Sequence, residues 1–311
     1  MLEKRDGLGF GASALGLGSW NTWDRMDFDD AVSLLRRAVD AGVTLFDVAH
    51  YNMGPHAEQS RTDIIFGEAI RAAGIAREDY QLCGKLWLWD YPKTGFAEQL
   101  AVSFERVGVE RAEAVVVGDY FERPDVPRIV TEVAEQVRLG RFSVWGVNNW
   151  RADDLASALE FAAREGLPGP KFAQLKYSVV RRSMAEGSYY SAFFGEGFGL
   201  QASDVFEGGV LLGRRPGRKI GADVGGIRAS VREAAGVVAE VAAEFGVSAS
   251  QLAIAFCLAY EPVSNVLFGA SSVGQLVDNL GALRLAAKYG AEIREAVSHL
   301  WLDRMVSADG A

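Results

Sequence analysis

The sequence predicts an α/β protein, a (β/α)8 TIM barrel folded as a single domain over residues 1–311. Three observations carry this expectation. Short apolar runs alternate with Ala-, Glu- and Arg-rich helical stretches along the whole chain. The runs are nearly continuous in apolar residues, as parallel strands covered by helices must be, rather than alternating as half-exposed strands do. Gly42, Gly108, Gly140 and Gly166 stand where helical stretches give out, the place a left-handed glycine cap belongs. The doubly wound alternative needs a Gly-rich turn between a strand and a helix. "GLGFGA" at residue 7 has no strand before it, and the next helix is too far off.

The first run, "SALGLGS" (13–19), leads to a helix announced by Asp27, Asp29 and Asp30 ahead of "AVSLLRRAVDAG"; carboxylates suit the positive end of a helix. "VTLFDVA" (43–49) leads to "TDIIFGEAIRAAG", and "YQLCGKLWL" (80–88) to "FAEQLAVSFERVG". "AEAVVVGDY" (112–120) leads to "VTEVAEQVRLG", and "FSVWGVNNW" (142–150) to "ADDLASALEFAAREG". "KFAQLKYSVV" (171–180) and "FGLQASDVF" (198–206) follow, and "SNVLFGA" (264–270) runs into "SVGQLVDNLGALRLAA". Eight strand candidates, most with a helix behind them, suit a chain of 311 residues closed into a barrel.

Apolar residues make up 49% of the chain and charged ones 23%, enough for one large core. The net charge of −9 argues against nucleic acid or an anionic membrane as partner. An anionic cofactor stays possible, since it needs only a local positive site. Cys83 and Cys257 lie far apart in apolar stretches and read as small core residues in a reducing compartment, with no metal site expected. The first residues lack the apolar core of a signal peptide, and no stretch offers the roughly 18 uninterrupted apolar residues of a membrane span. The expected location is the cytoplasm.

In such a barrel the chemistry sits at the C-terminal ends of the strands. The polar residues there are, in order, Gly18 and Ser19; Asp47 with His50 and Tyr51; Lys85; Gly118 and Asp119; Asn148 and Asn149; Gln174 and Tyr177; Ser203 and Asp204; Gly269 and Ser271. Lys85 interrupts the apolar "LCGKLWLW". A lone buried ammonium is expensive, so Asp47, one strand back, is its expected partner. That pair beside Tyr51 is expected to lower the phenol below its ordinary value of about 10 and ready it for proton exchange. A plain Asp–Lys bridge with an ordinary loop tyrosine is the competing reading. Asn148, Asn149 and Gln174 offer the donors and acceptors a carboxamide needs, or else they cap turns. The backbone N–H groups of the helix opened by Ser271 and Ser272 form an expected phosphate site, to which the basic "GRRPGRK" (213–219) can contribute.

These motifs, in this order, resemble the aldo-keto reductase family over nearly the whole chain. "ALGLGSW" looks like its first-strand motif, "DAGVTLFDVA" its approach to the catalytic Asp, and "CGKLWLW" its lysine strand. "VRLGRFSVWGVNNW" is similar to its Gly-Val-Ser-Asn segment, "FAQLKYSVVRR" to its glutamine strand and "SNVLFGASSVGQLVDNLGAL" to its C-terminal cofactor signature. The resemblance implies a barrel that binds NADPH, with NADH as the alternative, and acts on a small-molecule carbonyl or alcohol. It implies Tyr51 as proton donor, Lys85 as the group tuning it and Asp47 as the partner of Lys85. It assigns Asn148, Asn149 and Gln174 to the nicotinamide carboxamide, and Ser271, Gln275 and Asn279 to the adenosine end. Asp278 stands where the family usually has Glu, and Gly18, Ser19, Ser203 and Gly269 complete the expected cofactor contacts.

The chain also departs from the pattern. The family's catalytic histidine falls on Gly118, or on Asp119 if the register slips by one. Gly118 is expected to open space for substrate. His50 or His56 could supply an imidazole instead, and Trp20 and Trp87 complete the substrate-side candidates. Tyr51 follows Asp47 by four residues where the family has five. At the seventh strand, Ser203, Asp204, Val205 and Phe206 replace an aromatic followed by Ser-Pro-Leu, so the stacking ring is gone unless Phe206 takes its place. Two functional expectations follow: a carbonyl reductase for a sugar-like or bulky substrate, or a barrel without efficient redox turnover. The latter would be a regulatory or partner-binding subunit, or a dehydratase- or isomerase-like enzyme.

Overall fold

The computed structural model describes residues 6–52, 59–120, 122–195, 197–218 and 220–305. β1 (Leu15–Gly18) is followed by α1 (Phe28–Asp40), β2 (Leu45–Asp47) by α2 (Thr62–Ala72), and β3 (Gln81–Leu86) by α3 (Phe96–Val107). β4 (Ala114–Val117) is followed by α4 (Val126–Arg138), and β5 (Val144–Asn148) by α5 (Ala152–Glu165). After β6 (Phe172–Lys176) come only the single turns α6 (Ser183–Glu186) and α7 (Ser188–Ser191). β7 (Gly199–Ser203) opens into a long loop before α8 (Arg228–Glu244) and α9 (Ala249–Leu258), and β8 (Val263–Phe268) leads to α10 (Val273–Leu280) and α11 (Ala282–Ala296). Every strand pairs in parallel with the next, and β8 closes on β1. The expected (β/α)8 barrel is the observed fold.

Side-chain alternation along each strand divides two cores. Leu45, Cys83, Ala114, Val116 and Phe172 point inward and pack with Leu8 and Ala12 of the N-terminal segment, which plug the barrel floor. Phe46, Leu82, Val115, Val117, Val147 and Leu175 point outward into the larger core beneath the helices. There they meet stripes such as Ala31, Leu34, Leu35 and Ala38 of α1, spaced as one helical face requires. Fully burying a side chain of leucine size is worth roughly 1.5–3 kcal/mol, so this layer supplies most of the driving force. Cys83 and Cys257 are both buried free thiols.

The strands are shorter than the apolar runs suggested, because the last residues of each run fan out into the loops at the barrel mouth. The stretch expected as one helix after β8 breaks at Gly281 into α10 and α11. A Cβ at Gly281 would lie 2.7 Å from Gln251 Nε2 of α9, so the break lets α9 pack close. Gly108 and Gly166 cap α3 and α5 in the left-handed conformation, as expected. Among the described residues no single helix is long and apolar enough to cross a membrane. None of their His, Cys, Asp and Glu side chains cluster in a way that could hold a metal ion.

Candidate active site

Asp47 is the last residue of β2 and Lys85 the fifth of β3, both on the inner face. Their Nζ and Oδ2 atoms lie 3.5 Å apart, with 8% and 4% of the side chains exposed. The expected partner of Lys85 is therefore in place. Gln174 of β6 completes the group: its Nε2 donates to Asp47 Oδ2 at 2.8 Å, and its Oε1 accepts from Lys85 Nζ. The second Nε2 hydrogen goes to Gln201 Oε1 at 2.7 Å. Both N–H groups expected to hold a nicotinamide carboxamide are thus committed inside the barrel.

Tyr51 stands above this group, 4% exposed, between Trp20 (ring centroids 6.2 Å apart) and Trp87 (5.8 Å). Trp87 in turn stacks on Trp89 at 4.5 Å, and its indole N–H donates to the His50 carbonyl. The expected lowering of the Tyr51 phenol is not found. Burial first, and the Asp47 charge second, push it well above its ordinary value, while a hydrogen bond from the Ser19 hydroxyl works against them. Lys85 is committed to Gln174 and Asp47. Ser19 also accepts from the Ala49 N–H and is fully buried, so it supports Tyr51 from behind rather than lining the cavity.

Gly118 has φ +144, and a Cβ there would lie 2.3 Å from the Asn148 carbonyl oxygen. The expectation that this glycine opens space for substrate is corrected: the β5 backbone fills that space, and Gly118 does not reach the cavity wall. Asp119 does. Its Oδ1 accepts from Asn148 Nδ2 at 2.7 Å and Asn149 Nδ2 at 3.2 Å, so a carboxylate and two amides form one unit at the ends of β4 and β5. Asn149 Oδ1 also accepts from the Lys176 N–H. His50 does not replace the missing imidazole. It lines a separate cavity of about 180 Å³ with Lys85, Trp87 and Gln99, its Nε2 3.0 Å from Asn52 Nδ2, and burial lowers its affinity for a proton. His56 lies outside the described residues.

The opposite side of the mouth is basic. Lys176 follows Gln174 by two on β6, hence on the same inner face, and its Nζ donates to the Ala222 carbonyl at 2.7 Å. Asp204 sits just past β7 at φ +53, with Oδ1 accepting from the Gly208 N–H at 2.9 Å. Burial, helped by Glu207 and opposed by Lys176, pushes its carboxyl up to about 6. Gly208 and Gly209, both at positive φ, fold the loop back so that Arg214 and Arg218 reach the cavity from "GRRPGRK"; Lys219 lies outside the described residues. Phe206 lines the wall three residues past Ser203, while Tyr177 turns outward to Glu186 and Arg294. Ser272 caps α10 by accepting from the Gln275 N–H, and Gln275 Oε1 reaches back to the Ser271 N–H and hydroxyl. Asp278 accepts from Ser248, Ser250 and Gln251 of the α9 end.

One cavity of about 880 Å³ joins these parts. Of the residues singled out in the sequence, Asp47, Tyr51, Lys85, Trp20, Trp87 and Asp119 line its deep side. Gly18, Asn148, Asn149, Gln174 and Ser203 line its middle, and Gly269, Ser271, Gln275, Asp278 and Asn279 its far end. Ser19, His50 and Gly118 do not line it. The sequence reading missed Arg25 and Lys176, which do. Lys176 was readable from the two-residue alternation of β6. Arg25 ends a single 3-10 turn, too short for any periodicity to point to it.

The aldo/keto reductase family model matches residues 8–298. A probable voltage-gated potassium channel subunit beta from Oryza sativa subsp. japonica is 30% identical over 303 residues, 88% of each chain. The protein of the same description from Arabidopsis thaliana is 28% identical, again over 88% of each. Among solved structures, an aldo-keto reductase from Klebsiella pneumoniae in complex with NADPH superposes with a TM-score of 0.73 at 21% identity. It covers 98% of this chain and 96% of its own. A putative 2,5-diketo-D-gluconic acid reductase B gives 0.70 at 18% identity, covering 95% and 92%. On the family match over nearly its whole length, the chain belongs to the aldo/keto reductase family.

Proposed function

We propose that this protein is an NADPH-dependent oxidoreductase that reduces an aldehyde or ketone to an alcohol, with Tyr51 as proton donor. The observation that carries the reading is the buried Lys85–Asp47–Gln174 group beneath Tyr51, opening into a cavity that continues to the start of α10. The residues present fit a dinucleotide. A Cβ on Gly18 would meet nothing within 4 Å, so the barrel mouth is left open for a flat ring. Asn148 and Asn149 each commit one N–H to Asp119 and would hold the carboxamide that Gln174 does not. Ser271, Gln275 and Asn279 would hold the adenosine end, and Arg214 and Arg218 the phosphates. The NADPH complex of the Klebsiella relative supports the same choice of cofactor.

When bound, the reduced nicotinamide supplies the electron pair that enters the carbonyl carbon. Tyr51 donates its proton to the carbonyl oxygen. The Ser19 hydroxyl then stabilises the charge growing on the phenol, and the Lys85 ammonium keeps a cation near it. A positioned proton donor contributes about 10²–10⁴ in rate. Its surroundings raise the phenol, so Tyr51 is protonated at neutral pH and available as the donor. Trp20, Trp87 and Trp89 beside the Asp119 amide group suit a ring-shaped, hydroxylated substrate.

A second reading rests on Gly118. No imidazole fits there, and losing one donor to the carbonyl lowers rate by about 10²–10³. The relatives described as potassium channel subunits support a role in which the barrel binds cofactor and turns over slowly while serving a protein partner. Titration with NADPH and NADH, followed by tryptophan fluorescence and calorimetry, comes first, and then a carbonyl panel. Binding with turnover supports the reductase, and binding without turnover supports the second reading. No binding of either nucleotide removes both.

A further inference from the structure

Below the Lys85–Asp47–Gln174 group a second chain of amides crosses the barrel interior. Gln174 Nε2 donates to Gln201 Oε1 of β7 at 2.7 Å, Gln201 Nε2 to Asn265 Oδ1 of β8 at 3.1 Å, and Asn265 Nδ2 to the Ser13 carbonyl at 2.7 Å. Gln174 is 1% exposed and the other two amides 0%. Gln201 pairs in register with both Gln174 and Asn265, so the three side chains lie side by side on the inner faces of consecutive strands.

Both ends of the chain demand the same sense. The Ser13 carbonyl only accepts, so Asn265 must turn its nitrogen to it and its oxygen to Gln201. That in turn points the oxygen of Gln201 at Gln174 and the oxygen of Gln174 at Lys85. From the other end, the Lys85 ammonium only donates and the Asp47 carboxylate only accepts, which fixes Gln174 the same way. The three amide dipoles therefore align with their negative ends toward Lys85, and aligned hydrogen bonds in a dry interior strengthen one another. Nothing in barrel packing asks for amides here. Apolar side chains of similar size would fill the layer, and buried polar groups are kept at a stability cost when they serve a purpose.

We propose that Gln201 and Asn265 are positioning residues: acting through Gln174, they hold Lys85 as a fixed ammonium beside Asp47. The kinetic consequence rests on the reading of Tyr51 and Lys85 given above; the positioning itself does not.

The test compares the wild type with Gln201→Leu and Asn265→Leu. Each protein is treated with a limiting dose of acetic anhydride at one mildly alkaline pH, and acetylation of Lys85 and Lys176 is read by mass spectrometry. Only the neutral amine reacts. Lys176 lines the same cavity two residues beyond Gln174 and serves as internal control. Expected is a rise of about 3- to 10-fold in the Lys85 rate relative to Lys176 for Gln201→Leu, the effect on Lys85 of the one hydrogen bond that Gln174 loses, and a smaller rise for Asn265→Leu. An unchanged ratio overturns the proposal, and so does an equal rise at both lysines, which would mean general loosening. In the kinetic arm, Gln201→Leu should lower kcat with the NADPH Kd within about twofold. If the wild type shows no turnover, the reductase reading fails while the acetylation ratio still decides the positioning.

Discussion

Gly118 and Asn148 are in direct backbone contact, so that a Cβ at residue 118 would lie 2.3 Å from the Asn148 carbonyl oxygen. With φ at +144, position 118 is closed to side chains on conformational and steric grounds alike. Restoring the family's imidazole by Gly118→His should therefore fail. The variant should lose at least about 2 kcal/mol of stability and gain no turnover. Urea denaturation alongside the carbonyl assay checks both; a stable and faster variant would show that β5 can move away.

Tyr51→Phe keeps the ring between Trp20 and Trp87 and removes only the hydroxyl. Its kcat should fall about 10²- to 10⁴-fold, the worth of a positioned proton donor. The NADPH affinity should stay within about twofold, because the substitution keeps the ring and its contacts with Trp20 and Trp87. Stopped-flow turnover together with a binding titration separates the two, and an unchanged kcat would remove Tyr51 from the proposed role.

What the sequence made legible was the set of strand ends. Lys85 inside an apolar run announced a partner, and Asp47 is that partner. The direction of the Tyr51 shift was not legible, because it depends on how deeply Trp20 and Trp87 bury the ring, a tertiary fact. The way Gln174 is held was not legible for a related reason. Its amide is claimed by Gln201 and Asp47, which lie 27 and 127 residues away in the chain, and no local pattern joins them. Gly118 looked like a vacancy because a missing side chain reads as space until the neighbouring strand is placed.

Asp204 gives the chain a distinct pH dependence. Its folded carboxyl is raised from 3.8 to about 6, so folding holds its proton more tightly than the unfolded chain does. A raised value contributes stability that is complete below pH 3.8 and lost as pH climbs through about 6. At neutral pH the wild type therefore carries a partly buried charge that Asp204→Asn removes, while the side-chain oxygen still accepts from the Gly208 N–H. The variant should be more stable than wild type by about 1–3 kcal/mol near neutral pH, with the difference vanishing toward pH 4. Thermal denaturation across that range decides it. A constant difference would mean the gain is packing and not charge.

Arg214 and Arg218 reach the cavity from one loop, and Arg218 feels both Arg25 and Arg214 as repulsive neighbours and Asp204 as an attractive one. Three cations around one carboxylate favour a ligand with several negative charges. Arg214→Ala and Arg218→Ala should each weaken NADPH binding by about 5- to 30-fold, with the loss shrinking at high salt as the remaining charges are screened. NADH lacks the extra phosphate. If the arginines serve that phosphate, NADH affinity should barely change; if they serve the shared diphosphate, both nucleotides should weaken together. Parallel calorimetric titrations at two salt concentrations distinguish these outcomes. No effect on either nucleotide would place the phosphates at the start of α10 alone.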